Sequence, residues 1–207
     1  MQRESQVVDL RDARSVGADL RMGAGELNVT GGADALLEAD FAYNVADWKP
    51  DVNYEVNGGT GELSVEQRSA QGVRLGGDAR NEWDVRFHDE VPTDLHVEMG
   101  AGESELDLDS LALEGLDLKI GAGQTTVDLT GDYEQDLAAS IQGGIGEATV
   151  MLSSEIGVRA EGGIGKIYAA GLDKEGDSYV NDAYGNSEVT MNVDVQGGVG
   201  EINLEVV

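Results

Sequence analysis

Apolar and polar residues alternate along most of this chain, and the alternation changes phase at a recurring glycine phrase. The phrase is clearest in "GGIGEATVML" (Gly143–Leu152), "GGIGKIYAAG" (from Gly162) and "GGVGEINLEV" (from Gly197). Aligned on its last glycine, it recurs at Gly25, Gly61, Gly102, Gly123, Gly146, Gly165 and Gly200, each with another glycine two residues earlier. Five residues before the anchor stand Leu20, Val56, Val97, Leu118, Ile141, Ala160 and Val195; one before it stand Ala24, Thr60, Ala101, Ala122, Ile145, Ile164 and Val199. A period of two puts such side chains on one face of a strand. Beyond the anchor the apolar set moves to the positions two and four residues on, from Leu27 and Val29 in the first copy to Ile202 and Leu204 in the last. A straight strand cannot slip by one residue without turning over its faces. The glycines are therefore predicted to be bends or bulges that keep both arms apolar inward. Without Cβ they also allow positive φ or close approach of a neighbouring backbone.

The anchors are 19–23 residues apart at the short intervals and 35–41 at the long ones. Self-similarity at about 20 residues is the mark of a solenoid. The pattern predicts an all-β, right-handed single-stranded β-solenoid with Gly-x-Gly corners and seven recognisable repeats, coils stacked about 4.8 Å apart. Loops or hairpins fill the long intervals, among them "GDSYVNDAYGNS" (Gly176–Ser187), whose Gly, Asp and Asn favour turns. The two halves, 1–92 and 93–207, are read as one continuous structure. A further regularity concerns volume. Three residues before the anchor the copies carry Met22, Met99 and Ile120, each followed two residues on by Ala, or Gly58, Gly143, Gly162 and Gly197, followed by Thr, Ile or Val. Large beside small predicts that the two positions share one core volume.

Composition fits a thin, repetitive structure. Among 207 residues, 30 are Gly, 2 are Pro and only 5% are aromatic, so the core is built from small aliphatics. The 41 acids against 13 bases give a net charge of -28, which argues against nucleic acid or anionic lipid as partner. The acids are spread along the chain, consistent with a solvated acidic surface or a diffuse, weak sink for divalent cations. Cysteine is absent, which excludes disulfides and thiolate metal sites. No apolar run of about 18 residues is present to span a membrane, and "MQRESQVVDL" lacks the apolar core of an export signal.

Candidate chemistry is sparse. "GIGK" (Gly163–Lys166) has Ile167 where a phosphate loop needs Ser or Thr. The glycine phrase also lacks the Asp that a calcium-binding nonapeptide repeat requires. His88 and His96 are read as strand-face residues, although Asp84, Asp89 and Glu90 near His88 form a conceivable weak metal cluster. "NVT" (Asn28–Thr30) matches a glycosylation acceptor. Glycosidase carboxylates cannot be singled out among 41 acids without geometry. No cofactor is called for. The most organised feature is the residue after each anchor: Glu26, Glu62, Glu103, Gln124, Glu147, Lys166 and Glu201. Stacked like charges repel, and Gln124 and Lys166 are placed by sequence order to relieve their neighbours. This exterior column is either a row of solvated corner side chains or a ladder for cations or a polar ligand over bare glycine backbone.

"LRMGAGELNVTGG" (Leu20–Gly32), "FAYNVADWKPDVNYEV" (Phe41–Val56) and "DAYGNSEVTMNVDVQGGVGEINL" (Asp182–Leu204) resemble the toast-rack family, a bacterial domain of unknown function. The second half is similar to the C-terminal domain of cell-wall-active antibiotic response proteins, which are membrane-associated regulators of envelope stress. The resemblance implies a β-solenoid exported to or tethered at the cell envelope, with no catalytic residue to carry over. Two function classes follow: a non-enzymatic, adhesin-like surface module for an unidentified protein or polysaccharide, and a sensor acting on a membrane partner. A polysaccharide-cleaving enzyme ranks third, because bases are scarce.

Overall fold

A computed structural model describes residues 1–68, 79–162 and 166–207. The described chain is all-β, with one 3₁₀ turn at Ala46–Trp48. Its strands are β1 (Gln2–Val8), β2 (Ser15–Thr30), β3 (Leu37–Tyr43), β4 (Pro50–Asn57), β5 (Thr60–Gln67), β6 (Asn81–Phe87) and β7 (Thr93–Asp107). They continue with β8 (Leu113–Leu129), β9 (Leu137–Leu152), β10 (Gly157–Gly162), β11 (Lys166–Ala170), β12 (Asp173–Glu175), β13 (Ser178–Val180) and β14 (Thr190–Val206). All fourteen join one mixed sheet. Its spine runs β1-β3-β6-β2-β7-β8-β9-β14-β10-β13-β12, with β11 on β14 and the β4–β5 hairpin on β2.

The centre of the sheet consists of five long strands, β2, β7, β8, β9 and β14, paired in parallel. Chain length shows that they are bent. Only five residues link β7 to β8, a reach of roughly 20 Å, whereas a straight strand of this length would run about 50 Å. Since Thr93 is paired with Leu113, β7 must double back so that its end lies near its start. The links stack as well: the Ala112 N–H donates to the Asp89 carbonyl at 2.9 Å and the Thr93 N–H to the Ala112 carbonyl at 2.9 Å.

The bend falls at the anchor glycines, which sit in register as Gly25, Gly102, Gly123, Gly146 and Gly200. Gly102 and Gly123 have φ of 137° and 143°, a region closed to L side chains. A Cβ added to either would fall on the carbonyl oxygen of the preceding layer's anchor, well inside 3.0 Å. Both requirements, positive φ and close backbone approach, act at one residue.

Between the arms lies the core. Leu20, Val97, Leu118, Ile141 and Val195 from the first arm are buried, as are Leu27, Val29, Leu106, Val127, Val150, Ile202 and Leu204 from the second. The predicted change of phase is therefore present. The position before the anchor, however, does not face this core: Ile145 is 63% and Val199 72% exposed. The chain has already turned there, so alternation cannot be carried through the second-last glycine. Position minus three is the last inward residue, where Met22, Met99 and Ile120 are buried. At Gly143 an added Cβ would meet nothing within 4 Å, and a cavity of about 30 Å³ lies there between Ile120, Ile141, Ala148 and Ile202. The expected sharing of volume between minus three and minus one thus fails in these layers. At Gly162 the space is taken by the Ile167 side chain from the other arm; the residue expected there, Ile164, lies outside the described residues, as does Gly165.

Two further expectations need correction. Gly61 is not a corner. It lies in β5 opposite Val16, and Gly58 and Gly59, with φ of 64° and 91°, form the two-residue turn of the antiparallel β4–β5 hairpin. Nor do the coils stack in simple chain order, because β14 enters between β9 and the β10/β11 pair. The long interval before Gly200 makes room for this return: its β12–β13 hairpin folds onto β10.

The opposite end is closed by the antiparallel β1-β3-β6 sheet, whose Phe41 and Trp83 rings meet edge-on at 5.3 Å. The first arm of β2 is lined by β5 and its second by β6. At the corner between them, side chains complete the hydrogen bonding: Gln67 accepts from the Gly23 N–H at 2.7 Å, and Asn81 donates to the Ala24 carbonyl at 3.0 Å.

Candidate ligand-binding face

The parallel register carries identical offsets from layer to layer, so residues outside the second arm line up in rows. The residue after each corner forms the first row: Glu82, Glu26, Glu103, Gln124, Glu147, Glu201 and Lys166 in spatial order. Six of the seven predicted column residues come together here. Glu62 does not; it stands opposite Gly17 on the first arm. Glu82 takes a place in the row that sequence reasoning missed, since β6 carries no glycine phrase. Lys166 lies at the end of the row and not between Glu147 and Glu201, because β14 lies inside β11.

The row is partly neutralised. Lys166 Nζ lies 3.2 Å from Glu201 Oε1 and 4.4 Å from the Tyr168 ring centre, and Asn203 Nδ2 donates to Glu147 Oε1 at 3.0 Å. Arg80 Nη1 is 3.6 Å from Glu82. Such exposed pairs contribute about 0–1 kcal/mol each.

Two residues further along runs a second row, Asp84, Asn28, Glu105, Thr126, Thr149, Asn203 and Tyr168. It is rich in amides and hydroxyls. Between the two rows lies a shallow hollow of about 350 Å³ lined by Glu26, Asn28, Glu103, Glu105, Gln124 and Thr126. Three carboxylates accept there, and the Asn28 and Gln124 amides and the Thr126 hydroxyl can donate, a surface able to bind a polar ligand by many individually weak hydrogen bonds. Asn28, the glycosylation candidate, is exposed and donates to Asp84 Oδ1 at 2.8 Å.

The cluster around His88 does not converge. Asp84 is engaged by Asn28, and Asp89 accepts from the Gly32 N–H at 2.7 Å and from Ser110 Oγ at 3.2 Å. Among the described residues, no three His, Asp or Glu side chains are placed to hold a metal ion. His96, on the first arm, has its Nδ1 3.1 Å from Asp117 Oδ2, and Lys119 donates to the same oxygen at 2.8 Å. The lysine, chiefly by this hydrogen bond, holds the Asp117 carboxyl below its usual range. Burial, together with Asp107 and Asp128, pushes the Asp109 carboxyl up. The "GIGK" lysine continues into strand β11, not into a helix whose N-terminus could hold phosphate.

A bent, parallel, glycine-cornered stack with a polar outer ladder defines an all-β module of the toast-rack kind. The N-terminal domain of toast_rack (DUF2154) matches residues 1–151, and the chain belongs to this family. A solved structure described as a putative cell adhesion protein from Clostridium sporogenes is similar over 100% of this chain and 99% of its own, at 34% identity and a TM-score of 0.96. One described as a putative adhesin from Parabacteroides merdae aligns with 98% of this chain and 80% of its own, at 13% identity and a TM-score of only 0.32. No curated protein matches. Among the described residues, no helix is long and apolar enough to cross a membrane.

Proposed function

We propose that this chain is a non-enzymatic module of the bacterial cell envelope or extracellular surface, in which a β-solenoid stack holds a rigid polar ladder against a protein or polysaccharide. The observation that carries this reading is full-length similarity, at 34% identity, to a protein described as a putative cell adhesion protein. The hollow between the two outer rows supports a binding role, because it offers spaced amide, hydroxyl and carboxylate groups on a rigid surface. A sensor role for the second half has only the sequence resemblance behind it.

The test uses the labelled chain on arrays of envelope and host polysaccharides and of extracellular proteins, beside a Glu103→Ala/Glu105→Ala/Thr126→Ala variant. Binding that the variant loses while its melting temperature stays within a few degrees supports the reading. Binding that the variant keeps, or none on any array, overturns it. An antibody against the chain should label intact cells of the producing bacterium.

A further inference from the structure

The strand stack has two ends with two arms each, and three of these four arms are capped from within the chain. At one end β5 covers the first arm of β2 and β6 covers the second. At the other end the β12–β13 hairpin covers β10. The remaining arm, β11, pairs with β14 and, among the described residues, with no other strand.

An open edge presents a row of N–H and C=O groups that templates another strand, and proteins usually blunt it with charge, proline or brevity. The chain does so elsewhere. The outermost strand β12 has three residues, Asp-Lys-Glu; β4 opens with Pro50 and carries Asp51 and Glu55; β1 carries Arg3 and Glu4. Strand β11 reads Lys-Ile-Tyr-Ala-Ala, with Tyr168 44% exposed. In a chain with 41 acids, the run from Gly162 to Leu172 contains none. Its one charge is Lys166, which offsets Glu201 on the strand behind it.

We propose that a second copy of this chain covers the β11 edge, antiparallel, about a two-fold axis at Tyr168. Two molecules of net charge -28 repel wherever carboxylates would meet, and this edge brings none together on the pairing strands. An isologous contact sets the middle residue of the five opposite itself and Lys166 opposite the partner's Ala170. Ala170 is paired with Glu205 on β14, so Lys166 stands in line with the partner's Glu205, two strand spacings or about 10 Å away, and the two symmetry-related pairs carry opposite charge and not like charge. A five-residue contact is small, so association is weak and depends on concentration.

Sedimentation velocity of the 207-residue chain from about 10 µM to about 1 mM, the span for a small interface, tests this. Monomer should give way to dimer with rising concentration, and more readily at high salt, which screens the residual repulsion. Tyr168→Asp and Tyr168→Lys should each weaken association by about tenfold or more through like charges on the axis. Mixing the two variants should restore a one-to-one dimer, a readout that a folding defect cannot mimic. A chain that stays monomeric throughout, as an edge reserved for a different protein would, overturns the proposal. So does association that ignores both variants, or a mixture that fails to recover it.

Discussion

Replacing Gly143 by Ile should stabilise the fold. Gly143 lies in register between Ile120 and Gly197, its φ is not positive, and an added Cβ meets nothing within 4 Å. Removing a strand-interior glycine gains about 0.5–1 kcal/mol. Filling the cavity of about 30 Å³ beneath it gains roughly 0.7 kcal/mol at 24 cal/mol per Å³. Fixing an isoleucine side chain costs about 0.5–1 kcal/mol. The net is about 0.7 kcal/mol, or roughly 1–3 °C in Tm for a chain of this size. Gly143→Ala should give the backbone part alone. Ile145→Ser, at a residue 63% exposed, should stay within about 0.5 kcal/mol of the parent. Calorimetry and urea unfolding measure all three. An Ile variant clearly less stable than the Ala variant, by about 0.5 kcal/mol or more, would show that no fillable core space offsets the cost of fixing the side chain at this layer.

Gly123→Ala should cost about 2–4 kcal/mol, because it combines a forbidden φ with a Cβ on the Gly102 carbonyl; a loss under about 1 kcal/mol in urea would remove the corner argument. Asp109 is raised in the folded state by burial, Asp107 and Asp128, so it weakens the fold increasingly as pH rises from the ordinary carboxylate range through its folded value. Asp109→Asn should therefore raise Tm at neutral pH and lose that advantage in acid; a larger gain in acid would contradict this. Asp117 is lowered, chiefly by Lys119, so its contribution is complete above the ordinary carboxylate range and disappears as pH falls through the depressed value. Lys119→Met should cost up to about 0.5 kcal/mol at neutral pH, given how exposed the pair is, and nothing in strong acid. Sodium chloride should raise Tm by screening the net charge of -28, with calcium matching it at equal ionic strength; a saturating calcium excess lost in Glu103→Gln/Glu147→Gln would reveal a specific site.

The bends were legible because two independent signals agree at one residue: the apolar phase changes, and a glycine recurs where it changes. The inward set was legible on either side of the corner, from Leu20 and Val97 before it to Val127 and Leu204 after it. It failed at Ile145 and Val199, because alternation says nothing about where within a Gly-x-Gly the chain turns. Gly61 was misread although its correct signal was present: "NGGT" between "VNYEV" and "ELSVE" is the sequence of a two-residue hairpin. Stacking order was not legible. Spacing reports how much chain separates two coils, not which coil lies beside which, so the insertion of β14 and the terminal place of Lys166 required the structure.

Bending a strand at a Cβ-free residue lets each carbonyl at the corner sit under the next layer, so the five corner glycines fix the register of both arms at once. A side chain at an anchor glycine such as Gly123 would fall on the preceding layer's carbonyl, shift one layer against its neighbours and break both outer rows. The rows are thus positioned by backbone packing and not by their own weak contacts. Their residues are free to vary among Glu, Gln, Asn and Thr without disturbing the core. A rigid scaffold under exchangeable rungs suits recognition by many small contacts, because little ordering entropy is lost when the ligand binds. By the same reasoning, a rung substitution such as Thr126→Ala should change ligand affinity with little effect on stability, whereas a corner substitution such as Gly123→Ala should damage both together.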